Sequence, residues 1–394
     1  MLEPLLLVGL AIAVWVGFNI GGATTAPAFG PAIGANLITK VAAAALMSVA
    51  FFLGAWTIGR EVVDTLGRQL VHDTAIFTLE ANVAVLFFIG GALFLGNYAG
   101  VPASTSMTAV GAIAALGFAT GELNWAVMGE IVVWWIVAPI IGFWVGGVIG
   151  RYLYTHINEW LAIERDSAEE TMLRLERRGG VLPWPVVEQG TSRRELGGAL
   201  VVVLIGGLMG FSSGTSNIAN AIAPIYGAGA IEMSPLIVIG SVAVAIGAFT
   251  IARRTLDTVG NDITNLPLTA ALVVAVVSSV IVIFLSAIGI PASFVVIATM
   301  TIVGLGWGRA TRTTRMRDAA RGEAPAVSVG ALTAEQEGEE APEIGAERRR
   351  DIPQASDLFR PETTARVIIM QNVVPIISTV GAYLTFRFVP IFGL

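Results

Sequence analysis

Ten apolar runs recur along this 394-residue chain, at roughly 4–18, 40–58, 80–98, 103–120, 125–153, 196–211, 234–252, 265–288, 291–307 and 365–392. A helix needs about 20 apolar residues to cross hydrocarbon, and ten such runs leave few residues for a watery surface. Composition agrees: 55% of residues are hydrophobic and 13% charged, against about 45–50% and about 25% in ordinary globular chains. Mean hydropathy is +0.77. A water-soluble enzyme, a nucleic-acid binder and a disordered chain are all excluded. The expectation is an all-α polytopic membrane protein with roughly 10–12 membrane segments. Met1-Leu2-Glu3-Pro4 has no basic residue and no small-residue cleavage site follows, so the first run reads as a span rather than a cleaved signal.

Two stretches are polar. Residues 154–195 hold Arg165, Arg174, Arg177, Arg178, Arg193 and Arg194. Residues 308–364 open on Arg309, Arg312, Arg315, Arg317 and Arg321 and continue into an acidic tract from Glu335 to Glu347. Arginine beside the spans marks both as cytoplasmic. The first is expected to carry an amphipathic helix around Trp160–Arg178, and the second to be largely disordered. The chain then divides into a first transmembrane repeat (1–153), a loop (154–195), a second repeat (196–307), a second loop (308–364) and a closing segment (365–394).

The division rests on an internal duplication. Gly54-Ala55-Trp56-Thr57-Ile58 is echoed by Gly247-Ala248-Phe249-Thr250-Ile251, and Asp64-Thr65-Leu66-Gly67 by Asp257-Thr258-Val259-Gly260, an offset of 193 residues (54 to 247, 64 to 257). Gly100-Val101-Pro102-Ala103-Ser104 is echoed by Gly289-Ile290-Pro291-Ala292-Ser293 at an offset of 189 (100 to 289). The loop after 307 is long and arginine-rich, whereas its counterpart near 118–125 holds Glu122 and no arginine. Corresponding loops are thus expected on opposite faces, with both termini outside. This is the inverted repeat of secondary transporters, which bind substrate near the midplane between broken helices and work by alternating access.

Chemistry-bearing residues are few. Cysteine is absent, the only histidines are His72 and His156, and Lys40 is the sole lysine. No metal cluster and no catalytic set emerges, so the chain is not read as an enzyme. Intramembrane acids are usually functional. Glu130, in a Trp-rich span, and the repeat-related Asp64 and Asp257 are therefore candidates for coupling to a cation, although the aspartates also suit salt-bridged helix ends beside Arg60 and Arg253. Glu232 suits a helix start. Four uncharged clusters stand at related positions. Gly21-Gly22-Ala23-Thr24-Thr25 through Gly30-Pro31 is small, hydroxylated and helix-breaking, as is Gly214-Thr215-Ser216-Asn217-Ile218-Ala219-Asn220 through Pro224. The others are Pro102-Ala103-Ser104-Thr105-Ser106 and Pro291-Ala292-Ser293. Unwound backbone and half-helix N-termini favour an anion. The expected donors are Thr24, Thr25, Ser104, Thr105, Ser106, Ser216, Asn217, Asn220 and Ser293. Gly21, Gly22, Gly30, Pro31, Gly214 and Pro224 are expected to break the helices. Each cluster alone would equally suit close helix packing.

At these residues the chain resembles the inorganic phosphate transporter (PiT, solute carrier 20) family, whose duplicated motif is G-x-N-D-x-A-N-A-x-G-P. Here the second copy reads Thr215-Ser216-Asn217-Ile218-Ala219-Asn220-Ala221-Ile222-Ala223-Pro224. The family's P-V-S-T-T-H segment is matched by Pro102-Ala103-Ser104-Thr105-Ser106-Met107. The resemblance implies an inverted-repeat symporter moving phosphate with sodium or protons, with no resident cofactor. The motif aspartate is replaced by Asn217 and Thr24, and the second asparagine of copy one by Pro27. The segment Phe18-Asn19-Ile20-Gly21 is similar to the family's sulfate permease branch. Hydrogen phosphate can donate a proton to a carboxylate, whereas sulfate has none to give, so a donor-only site suits sulfate. Backbone carbonyls can also accept, which keeps phosphate:cation symport open beside sulfate. An uncoupled anion channel and a membrane sensor or scaffold are the readings of another kind. Expected partners are the anion, membrane lipid and, as in many such folds, a second copy in a homodimer.

Overall fold

The computed structural model describes residues 4–98, 104–161, 173–176, 184–187, 193–262, 268–310 and 361–389. All ten apolar runs become helices. They are α1 (Pro4–Gly34), α2 (Lys40–Trp56) with its short continuation α3 (Gly59–Asp64), α4 (Leu79–Tyr98), α5 (Thr105–Thr120) and α6 (Trp125–Val148). After the polar α7 (Tyr154–Leu161) and a strand pair come α8 (Arg193–Gly227), α9 (Met233–Asp262), α10 (Leu268–Ala287), α11 (Phe294–Ala310) and α12 (Pro361–Phe388). Among the described residues six helices are long and apolar enough to cross a membrane, and a seventh span is formed if α2 and α3 count as one. α5 and α11, at 16 and 17 residues, rise only about 25 Å, less than a bilayer core of about 30 Å.

Large apolar side chains line the outside. Phe87, Ile136, Trp144, Leu204, Phe284 and Ile376 are all more than half exposed. Water would not tolerate so much bare apolar surface on one molecule, whereas lipid does. Trp125 at the start of α6 and Trp160 in α7 are also exposed, as suits rings at the headgroup level.

The two repeats exchange helices. α1 of the first packs on α9 of the second, and α2 of the first on α8 of the second. In the same way α5 packs on α12, and α11 on α6. Glycines set the first two crossings. A Cβ at Gly21 would strike the carbonyl oxygen of Val244, and at Gly214 that of Phe51. A Cβ at Gly54 would strike the carbonyl of Phe211, and at Gly247 that of Phe18. Shifting each contact by the 193-residue offset (21 to 214, 54 to 247) yields its partner contact. Gly21, Gly22 and Gly214 therefore do not break helices as expected. α1 and α8 run unbroken through them, and through Gly30, Pro31 and Pro224. The small residues serve close backbone approach, and Pro31 and Pro224 fall in the last turns, where few backbone bonds remain to be lost.

The breaks lie elsewhere. α2 and α3 meet at a 63° bend, and Gly59 begins the second arm with its Cα side against Gly214 and Ile218. The repeat-related residue is Ala252, and α9 runs straight through it. The deeper interruptions precede α5 and α11. Ser106 at the start of α5 bonds Ala292 just before α11. α5 ends beside the start of α6, whereas Arg309 at the end of α11 stacks on Tyr154, beyond the far end of α6. α5 and α11 thus begin at one level and run to opposite ends of α6.

The first polar loop differs from expectation where it is described. Of the amphipathic helix expected over 160–178, the described residues include the end of α7, at Leu161, and residues 173–176; the rest lies outside the described residues. Residues 173–176 form strand β1, antiparallel to β2 (Trp184–Val187), with Leu173 opposite Val187. β-branched Val186 and Val187 with flanking prolines favour extended backbone over helix there. Most of 308–364 lies outside the described residues, with α11 reaching Ala310 and α12 beginning at Pro361.

Gly54→Ala and Gly214→Ala each force two backbones apart and should lower stability by about 1–3 kcal/mol. Gly30, which has open space beside it, should accept alanine without loss. Thermal unfolding of the detergent-solubilised variants checks this contrast; equal melting temperatures would refute it.

Candidate functional site: an uncharged polar knot at two helix starts

The sequence of α8 places Ser213, Ser216, Asn217 and Asn220 at spacings of three, four and seven, which is one helical face. That face meets the start of α5. Ser104 caps α5, its Oγ accepting from the Met107 amide at 3.3 Å, and the Thr108 hydroxyl donates to the Ser104 carbonyl at 2.7 Å. Ser293 caps α11 in the same manner, accepting from the Val296 amide at 3.4 Å. Both helices thus point their unpaired first N–H groups and positive dipole ends at α8.

The side chains interlock. Thr105 Oγ1 donates to Asn217 Oδ1 at 2.7 Å. Asn217 Nδ2 donates to Ser213 Oγ at 3.0 Å, and Asn220 Nδ2 to Asn217 Oδ1 at 3.4 Å. Ser106 and Ser216 hydroxyls lie 3.1 Å apart, and both reach the Ala292 carbonyl, at 3.0 and 2.9 Å. All of these groups except Thr105 are buried. Asn220 Oδ1 and Ser212 Oγ are buried without a protein partner. Buried polar atoms of that kind mark places where a polar guest compensates the loss of water.

Seven of the nine expected donors therefore gather here: Ser104, Thr105, Ser106, Ser216, Asn217, Asn220 and Ser293. Thr24 and Thr25 do not. Their hydroxyls bond back to the Ile20 and Gly21 carbonyls of α1, at 2.8 and 2.7 Å. Asn19 likewise turns its amide to Trp15 O at 2.9 Å. The duplication is thus polar on one side only: Phe294 and Val295 stand where Thr105 and Ser106 do, and Thr24 and Pro27 where Asn217 and Asn220 do. Ser213 and Trp135 were not anticipated. Ser213 adjoins the quoted motif and could have been found from its helical spacing. Trp135, whose indole donates to Pro291 O at 2.8 Å across 156 residues of sequence, carries no sequence signal. Trp135 also lines a small apolar cleft beside the knot, with Met107, Pro139, Leu285 and Ser293.

Charge is kept away. Among the described residues no carboxylate is buried. Glu130, which lies in a Trp-rich span, is exposed on α6. One and a half turns from the helix start, it can reach the headgroup region and so does not need burial. Asp64 is half-exposed, accepts from Gln69 at 2.8 Å and Tyr226 at 3.4 Å, and stands 4.0 Å from Arg68 rather than beside Arg60. Arg60 reaches Ser234 instead, at 2.8 Å. Asp257 lies in α9, its side chain outside the described residues. Glu232 directly precedes α9. No group of three His, Asp or Glu side chains among the described residues could hold a metal ion. A sodium ion at the knot would be met by neutral oxygens only.

The profile of the Phosphate transporter family matches residues 20–334. The chain belongs to that family. Among curated relatives, it is 26% identical over 304 residues to the sulfate permease CysP of Bacillus subtilis (strain 168), covering 77% of each chain. Among solved structures, the fold is similar to that of a sodium-dependent phosphate transporter, with a TM-score of 0.62, 17% identity and coverage of 98% of this chain and 100% of that one. The chain is accordingly a multi-pass membrane protein of a transporter family.

The two kinds of threonine and serine should behave differently. Ser216→Ala removes a hydroxyl shared by α5, α8 and the turn before α11, and should cut anion uptake at least tenfold. Thr24→Val removes a hydroxyl bonded only to its own helix and should leave uptake within twofold. Radiolabelled uptake in reconstituted vesicles decides; equal losses would show that the knot is not the site.

Proposed function

We propose that the chain is a secondary active transporter for a tetrahedral inorganic oxyanion, with sulfate preferred over phosphate. The observation that carries the proposal is the meeting of two helix N-termini on a buried, uncharged donor face. Backbone N–H groups and dipole ends favour an anion. The lack of any buried carboxylate among the described residues suits a dianion with no proton to donate. At an effective dielectric near 20, a carboxylate about 5 Å from a dianion costs on the order of 6 kcal/mol. The likeness to the B. subtilis sulfate permease supports the same choice.

In this reading the halves form an inverted repeat. α4–α5 and α10–α11 enter as hairpins from opposite faces, and alternating access comes from rocking one half against the other. Both termini face outside, and 154–195 and 308–364 face the cytoplasm. Uptake of a dianion against an inside-negative potential costs about 2.3 kcal/mol per charge per 100 mV, so coupling to sodium or protons is part of the proposal. Glu130, Asp64 and Asp257 are the acids to test for it.

The deciding experiment is uptake of labelled sulfate and labelled phosphate by proteoliposomes, each competed by the other anion, under separate sodium and proton gradients. Sulfate accumulation resistant to phosphate is expected. Ordinary phosphate uptake would overturn the preference, and flux that never exceeds the imposed gradient would make the chain a channel. Asn217→Asp should reduce sulfate uptake at least a hundredfold at neutral pH while leaving phosphate uptake the stronger of the two. Glu130→Gln, at an exposed position, should leave uphill uptake intact; loss of accumulation with downhill flux preserved would instead make Glu130 the coupling acid.

A further inference from the structure

The donors of the knot are already engaged. The Ala292 carbonyl oxygen has two lone pairs and faces two hydroxyls, Ser106 Oγ at 3.0 Å and Ser216 Oγ at 2.9 Å. The Ala292 amide returns a bond to Ser216 Oγ at 3.2 Å. Both serines and Ala292 are almost wholly buried. An oxyanion that takes the hydroxyl hydrogens of Ser106 and Ser216 must therefore displace this carbonyl. The carbonyl one residue earlier is held separately: Trp135 Nε1 on α6 donates to Pro291 O at 2.8 Å. The turn that carries both carbonyls is short and bounded. It starts at Gly289, in the left-handed region at φ 77°, with the Ile290 amide on Leu285 O at 2.9 Å. It ends at Ser293, the cap of α11.

We propose that the Ala292 carbonyl occupies the position of one oxygen of the anion, and that Trp135 is a positioning residue holding it there. Anion binding and withdrawal of the 290–293 turn are then one event, which ties occupancy of the site to the placement of α11. Trp135 is 156 residues from Pro291 in sequence and donates to no other carbonyl of the turn. Its bond stabilises the self-occupied form, so it acts as a tax on anion affinity, removable by mutation. The inference rests on the oxyanion reading of the knot.

The test uses the full chain in lipid nanodiscs, labelled with 5-fluorotryptophan and titrated with sulfate at constant ionic strength. The Trp135 resonance, identified by its loss in Trp135→Phe, should shift saturably with sulfate and not with chloride. By calorimetry, Trp135→Phe should bind sulfate about fivefold more tightly, the factor carried by one ordinary hydrogen bond. Trp135→Tyr keeps a donor on the ring and should return affinity towards that of the wild type. It also supplies the assignment if the phenylalanine variant fails to fold. Binding by the wild type with an unmoved Trp135 resonance, or equal or weaker binding by Trp135→Phe, would overturn the inference while leaving the function standing. Absence of both sulfate and phosphate binding by the wild type would overturn the function itself and the inference with it.

Discussion

Hydrocarbon offers no hydrogen bonds, so a helix that starts inside a membrane must bring acceptors and donors of its own. In the proposed arrangement α5 and α11 both start there, and much of the molecule answers that constraint. Ser104 and Ser293 cap the two starts, the polar face of α8 lies across them, and Asn217 and Ser216 knit the three elements together. The remaining N–H groups at the two starts form a concentrated positive end with no acid beside it. An anion is the guest that such an arrangement stabilises most.

Placing two short helices end to end requires the longer ones to stand very close around them. The four glycine crossings provide this. They bring α1 against α9 and α2 against α8 through backbone, not through side chains. Two of these glycines, Gly21 and Gly214, which a sequence reader takes for helix breakers, are thus helix-packing residues, because carbonyl oxygens of neighbouring helices fill the space a Cβ would need. The interruption before α11 falls where Pro291 stands two residues after Gly289.

Much of this was legible from the sequence. The ten apolar runs, the duplication and the polar clusters foretell the helices and seven of the nine donors that gather in the knot. The failures share one cause. Spacing along one helix says which residues share a face, but not which neighbour that face meets. Thr24 matches Asn217 by position, yet its hydroxyl, like that of Thr25, turns back to a carbonyl of α1. Trp135 was invisible because its partner is a backbone carbonyl far away in sequence. The exposure of Glu130 was not legible either, because an acid in an apolar run does not say which way its side of the helix faces.

The backbone crossings have a mechanical consequence. Where side chains interdigitate, turning one helix against another means lifting knobs out of holes. Where bare backbone rests on bare backbone, the joint is a plain bearing: small rotations meet little resistance, while translation towards the axle is blocked by carbonyl contact. Such a bearing has no conservative repair. Every amino acid other than glycine adds a Cβ, so Gly21, Gly54, Gly214 and Gly247 have no near neighbour in chemical space, and a change at one cannot be offset by trimming a side chain opposite, because there is none to trim.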